Sequence, residues 1–154
     1  MWFLAGTFGT VAERTCTVPA DKALLIPIGT ALFWIPVDAD TVAGLRAKIA
    51  EDRTTELEMT VDGVALQGLW NFRFESPSTF FFATADLNSF FGVTGPGFED
   101  GHPYEALAAG YLVMLEPLPV GQHTIKWRTK AVQPAIFPSV QVFELNITYH
   151  LTVE

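Results

Sequence analysis

The sequence predicts an all-β chain: a two-layer antiparallel β-sandwich, jelly-roll-like, with one crossover helix near residues 40–52. Three observations carry that expectation. In residues 140–154, Phe143, Leu145, Ile147, Tyr149, Leu151 and Val153 share one parity, and Glu144, Asn146, Thr148, His150, Thr152 and Glu154 the other. A period of two places the first set on the core face of a strand and the second in water. Asp62-Gly63 joins two alternating runs, a strong hairpin signal. Finally, 49% of residues are hydrophobic and only 17% charged, which excludes a disordered chain.

The elements follow in order. Residues 2–9 and 12–18 read as short strands joined by small residues, and Pro19-Ala20-Asp21-Lys22 as a turn. Residues 23–35 form a nearly continuous apolar run, expected for a strand covered on both sides, with a bend or bulge at Pro27 and Gly29. The helix follows, with Asp38 or Asp40 as its cap and Val42, Leu45 and Ile49 at helical spacing.

Leu57, Met59 and Val61 alternate with polar neighbours up to Asp62-Gly63, and Val64 and Leu66 begin the return. Trp70, Phe72 and Phe74 alternate with Asn71, Arg73 and Glu75, as in a strand. Residues 79–84 and 89–93 are further strand candidates, and 95–104 is a long irregular loop. Residues 111–115 and 123–130 form another hairpin, with Ile125 and Trp127 on the face of His123. Nine or ten strands and one helix make a single sandwich domain over 1–154, large enough to bury roughly two-thirds of its unfolded surface. An Ig-like arrangement is the runner-up, although its Cys…Trp…Cys signature is absent.

The net charge of −8 and pI of about 4.7 argue against nucleic acid and anionic membranes, since both need a basic face. The apolar run at 23–37 is too short to span a bilayer, so no transmembrane segment is expected. The single cysteine, Cys16, forbids an intrachain disulfide; on a strand with Val18 it reads as a buried structural thiol. No leader precedes Trp2, and a composition this acidic and weakly charged leans toward an exported protein, extracellular or periplasmic, whose leader is absent from the chain.

Several stretches resemble a family of uncharacterised, mostly exported bacterial proteins. They are Trp2-Phe3-Leu4-Ala5-Gly6-Thr7-Phe8-Gly9, Arg14-Thr15-Cys16-Thr17-Val18-Pro19-Ala20-Asp21-Lys22-Ala23-Leu24, Pro117-Leu118-Pro119-Val120-Gly121-Gln122-His123-Thr124-Ile125 and Thr148-Tyr149-His150-Leu151-Thr152-Val153. The resemblance spans almost the whole chain, but its motifs are turns and strand faces, so it implies a scaffold and export rather than an activity. Relatives with a cysteine in the second strand often carry another downstream. Here Leu32-Phe33-Trp34 stands in that region, so no family disulfide carries over. Relatives also have sequence ahead of the Trp-Phe-Leu strand, where this chain begins.

Chemistry is thinly supported. No Gly-x-Ser-x-Gly elbow exists, and the reading leans away from an enzyme. His123 and His150 approach each other if their strands pair, which would permit a two-His metal site, although the parity of His150 makes it a surface residue. Glu56, Glu58, Asp62 and Glu75 are the carboxylates available for glycoside chemistry. Asn146-Ile147-Thr148 matches a glycosylation sequon inside a strand.

The densest segment is the loop around Phe98, Asp100, His102, Tyr104 and Glu105. With Glu99 it offers hard oxygens to Ca²⁺, and His102 supplies an acid or base; a solvated loop is the plain alternative. With Phe90 and Phe91 these residues are the candidate ligand-binding set, because aromatic planes stack on sugars or anchor protein interfaces.

The leading expectation is a non-catalytic module that binds a protein or polysaccharide surface, or forms a homo-oligomer through an open strand edge. The alternative is a carbohydrate-active protein, lectin or enzyme. No cofactor beyond Ca²⁺ is suggested.

Overall fold

The computed structural model describes residues 1–7, 10–51, 53–86, 98–133 and 141–154. Ten strands among them build two five-stranded sheets. Sheet I runs β1 (Trp2–Phe3), β3 (Leu24–Trp34), β8 (Tyr104–Leu115), β6 (Arg73–Glu75), with β7 (Phe80–Phe82) also on β8. Sheet II runs β2 (Thr10–Val18), β10 (Gln141–Val153), β9 (Gly121–Gln133), β4 (Arg53–Val61), β5 (Val64–Ala65). With the helix α1 (Val42–Glu51), this is the expected all-β sandwich with one helix. Two edge pairings, β1 on β3 and β2 on β10, are parallel; the others are antiparallel. Within the sandwich class, the order β2-β10-β9-β4 facing β3-β8-β6 is that of the Ig-like arrangement, the second of the two expected.

The terminal strand β10 is central in sheet II. It pairs with β9 along its whole length and with β2 along nine residues. Its predicted inner parity is the observed one: Leu145, Ile147, Tyr149, Leu151 and Val153 are buried, while Glu144 and Asn146 face water. They meet Ile125, Trp127 and Met59 of their own sheet and Leu24, Ile26, Tyr111 and Val113 of sheet I. Each fully buried apolar side chain contributes about 1.5–3 kcal/mol relative to exposure.

A bulge between Pro27 and Gly29 reverses the parity of β3. Before it, Leu24, Ile26 and Ile28 point inward; after it, Ala31 and Phe33 do. That reversal makes residues 23–35 look apolar on every side. The inward group after the bulge packs under α1, whose Leu45 and Ile49 fill the space against Phe33, Leu107 and Ala109.

Thr41, not Asp38 or Asp40, caps α1: its Oγ1 accepts the Gly44 N–H at 3.1 Å. Asp38 instead accepts the Trp34 N–H at 2.8 Å, and its burial pushes its carboxyl pKa up.

The Trp70-Phe72-Phe74 alternation is not one strand. Gly68, at φ 71°, turns the chain into a short 3-10 helix, Leu69–Phe72, that drops Leu69 into the core, and β6 begins only at Arg73. The strand expected at 79–84 is present as Phe80–Phe82; the one at 89–93 lies outside the described residues.

Candidate functional site

The two outer faces of the sandwich differ in kind. On sheet II the outward residues of β2, β10, β9 and β4 are mostly polar and interlocked by charge, with Val11 and Val142 exposed among them. His150 Nε2 lies 2.7 Å from Glu13 Oε1. Arg128 hydrogen-bonds Glu144 at 3.0 Å and pairs with Glu56 at 2.9 Å, which in that order raise its guanidinium pKa, and Lys130 reaches Glu56 at 3.6 Å. This is an ordinary solvated face.

Sheet I presents the opposite. The register aligns Phe3, Leu25 and Met114 in one row across β1, β3 and β8, and Pro27 with Leu112 in the next. Thr30, Gly110 and Phe74 follow, then Leu32 with Ala108. Among the described residues, no paired position on this face carries a charged side chain. Met114 is 60% exposed and Phe3 57%, so the first row stands in water. An antiparallel sheet with only one covered face normally turns polar residues outward, and a contiguous apolar patch of this kind marks a contact surface.

The far end of the same face is covered by the loop singled out in the sequence. Outward Trp34 takes Tyr104 at 4.7 Å, Phe82 at 5.3 Å and Phe98 at 6.2 Å between ring centroids, all edge to face. Tyr104 is only 4% exposed, and its hydroxyl accepts the Glu99 N–H at 2.7 Å. His102, exposed, abuts Tyr104 edge-on at 4.8 Å. Of the candidate ligand-binding residues the structure thus gathers Phe98, His102 and Tyr104, with the two aromatics packed as a small core. Asp100 is exposed nearby. Glu105 has the opposite parity on β8 and accepts the Thr79 hydroxyl at 2.6 Å. Phe90 and Phe91 lie outside the described residues. Among the described residues no three His, Cys, Asp or Glu side chains converge as metal ligands.

The other candidates are dispersed. His123 pairs opposite inward Leu151, while the neighbouring His150 faces outward, so the two histidines sit on opposite faces of sheet II. His123 Nδ1 lies 2.7 Å from Asp62 Oδ2 and Nε2 2.8 Å from the Pro119 carbonyl. Two acceptors satisfy both nitrogens only when both carry hydrogen, so the Asp62 contact and then the Pro119 carbonyl raise the imidazole pKa above 6.5. Asp62, bonded to His123 and to the Thr124 N–H, is lowered below 3.8. The arrangement clamps two turns together.

Glu75 pairs with Arg46 at 2.9 Å, and with Glu56 and Asp62 also engaged, three of the four carboxylates proposed for glycoside chemistry stand in ion pairs. Cys16 is half-buried, and burial pushes its thiol pKa up.

Sequence reasoning missed the Phe3–Leu25–Met114 row. The signal was the alternation of Leu112 and Met114 with inward Val113 and Leu115, which leaves β8 apolar on both faces. Fold and face together define a β-sandwich in which, among the described residues, the paired outward positions of sheet I carry no charge and those of sheet II carry ion pairs. No protein-family model matches the chain, and no curated protein matches it. Among solved structures, the solution structure of Amebosin is similar over 94% of this chain and 96% of that one, at 11% identity and a TM-score of 0.23, a likeness too slight to carry an argument. No helix among the described residues is long and apolar enough to cross a membrane.

Proposed function

We propose that this protein is an exported, non-catalytic β-sandwich module that docks through the uncharged outer face of sheet I onto an apolar protein surface. The observation that supports the reading is the contrast between the two outer faces: ion pairs bind together much of sheet II, while the paired outward positions of sheet I carry Phe3, Leu25, Leu112 and Met114 and no charge among the described residues. Export is supported by the acidic, weakly charged composition and by the family resemblance, and expression with cell fractionation tests it. The face itself is tested with the dye ANS in dilute solution. The folded protein binds the dye, Met114→Lys and Phe3→Glu diminish the signal, and Asn146→Lys on sheet II leaves it unchanged. A folded protein that binds no dye, or variants indistinguishable from the parent, contradicts the reading.

One observation favours a carbohydrate-binding alternative. Trp70 is 51% exposed and Phe81 67% exposed, with Phe72 and Phe80 exposed beside them in sequence. Planar rings in water stack on sugars. A glycan array with and without EDTA tests this and any role of Ca²⁺; absence of binding and turnover in both arms removes it.

A further inference from the structure

We infer that the free edge of β3 is a strand-addition site that takes a short extended segment of another polypeptide. β1 covers this edge only at Leu24 and Leu25, with the Trp2 N–H on the Ala23 carbonyl and the Leu4 N–H on the Leu25 carbonyl. Past the bulge the odd residues of the run turn their backbone toward β8, since the Ile35 N–H donates to the Glu105 carbonyl. Ala108, opposite Leu32, points away from β3 and exchanges bonds with Ser76 at 2.8 and 2.9 Å. The N–H and C=O of Thr30 and Leu32 therefore face outward along the edge, and no backbone group meets them among the described residues. Thr30 is exposed and Leu32 only half-buried, so the edge is reachable.

Sheet II is open at the same corner. Arg14 of β2 reaches the Gly6 carbonyl just past β1, so β1 and β2 border one side of the sandwich. β2 begins at Thr10, opposite Leu145, and residues 141–144 of β10 have no strand beside them there among the described residues. A cleft between the sheets has Gly29, Thr30 and Ala31 on one wall and Thr129, Ala131 and Phe143 on the other, and no lining side chain is charged. Ala31 and Phe143 face inward yet are only half-buried, as at a core margin with no strand over it.

These features fix the occupant. Alternate residues of a strand lie about 6.6 Å apart along one edge, and another extended chain matches donors and acceptors at that spacing. Its side chain over the cleft must be uncharged, because nothing there pairs a charge. The segment must also be short. Gly6 lies beside the Pro27 carbonyl at one end, and at the other Asp38 has taken both Trp34 groups, its N–H on the carbonyl at 2.9 Å and its carboxylate on the N–H at 2.8 Å. β1 stands one strand spacing of about 4.8 Å outside β3, so the free edge is recessed. A second copy presents the same recess between the same projections, and two recessed edges cannot meet.

NMR of the full chain with a blocked peptide of alternating threonine and valine, lysine at each end, tests the site. At about 1 mM peptide the Thr30 and Leu32 amide signals should shift, and their hydrogen exchange should slow at least about tenfold. Ala31 and Phe33, already bonded to β8, should stay as they were. The same peptide with its amides N-methylated, or with aspartate for the central valine, should bind at least about tenfold more weakly. Thr30→Pro, confirmed folded by circular dichroism, removes one donor and should weaken binding similarly; the altered peptides test the site on the unaltered protein. Met114→Lys should leave binding unchanged, since this edge is separate from the docking face of sheet I. Absence of shifts at Thr30 and Leu32, a methylated peptide that binds equally well, or shifts confined to β2 overturns the inference. Self-association of the protein that Thr30→Pro abolishes also overturns it, because a second copy would then hold the edge.

Discussion

Gly110→Ala is expected to be among the most damaging single-methyl additions in this chain. Gly110 lies in the middle of β8, paired with Thr30 of β3 on one side and Phe74 of β6 on the other, at φ 143°. A Cβ built there overlaps the Gly29 carbonyl oxygen and sits 2.6 Å from the Thr30 Cα and 3.0 Å from the Gly29 carbonyl carbon. The Thr30 contact is about 0.8 Å short of the 3.4 Å at which ordinary contact begins, and the opposing atoms are backbone, so the strands themselves must part. Overpacking of this kind costs about 1–3 kcal/mol, and the left-handed backbone adds about 1–3 kcal/mol. A total near 4 kcal/mol is a large share of a usual domain stability of about 5–15 kcal/mol.

At about 2–4 °C per kcal/mol for a chain of this size, Tm should fall by roughly 8–16 °C. Gly63→Ala is the control: φ is 79° but nothing lies within 4 Å, so only the backbone cost of about 1–2 kcal/mol applies. Urea and thermal unfolding of both variants measure the difference. Equal losses in the two would refute the close approach of β3 to β8 at Gly110 and the register built on it.

Further outcomes follow from single contacts. The imidazolium of His123 stabilises the fold fully below pH 6.5 and loses its effect as pH rises through the raised folded pKa, while Asp62 contributes above 3.8 and fades below it. Because Asp62 is half exposed, His123→Gln should cost only about 0.5–1 kcal/mol at pH 6, with the deficit shrinking toward pH 9 in thermal melts; a deficit constant with pH contradicts the charged pair. Arg14 donates to the Gly6 carbonyl at 3.2 Å and to the Tyr149 hydroxyl at 2.8 Å. Arg14→Met should therefore cost about 1–3 kcal/mol in urea, and a loss no greater than that of the outward Thr15→Val counts against this tie. Cys16 alkylation by iodoacetamide should show a pH midpoint above 9.0, and a midpoint at or below that value is inconsistent with its burial.

Legibility followed the locality of the information. β10 was readable because one face meets the core and the other meets water, so polarity marks the parity residue by residue. β3 kept its length but hid its faces, since the bulge at Pro27 and Gly29 swaps which parity points inward. The segment 70–74 alternates like a strand, yet Gly68 in the left-handed region bends it into a 3-10 turn that sinks Leu69.

At the candidate site, Phe98 and Tyr104 stood out as surplus aromatics. Their partner is Trp34, some seventy residues away, and a sequence without long-range pairing cannot show that they spend their rings on each other. The sheet I face was illegible for a related reason. Apolar residues on both parities of β8 look like burial on two sides, and only the arrangement of the layers shows that one side of the Leu25–Met114 row is bare.

The accessibility of the Met114 methyl group tests that bare face most directly. Its NMR signal can be followed with a soluble paramagnetic probe in dilute protein, with Met59, buried in the core, as the internal reference. Strong probe relaxation is expected for Met114 and none for Met59. A Met114 methyl shielded like that of Met59 would contradict the open face.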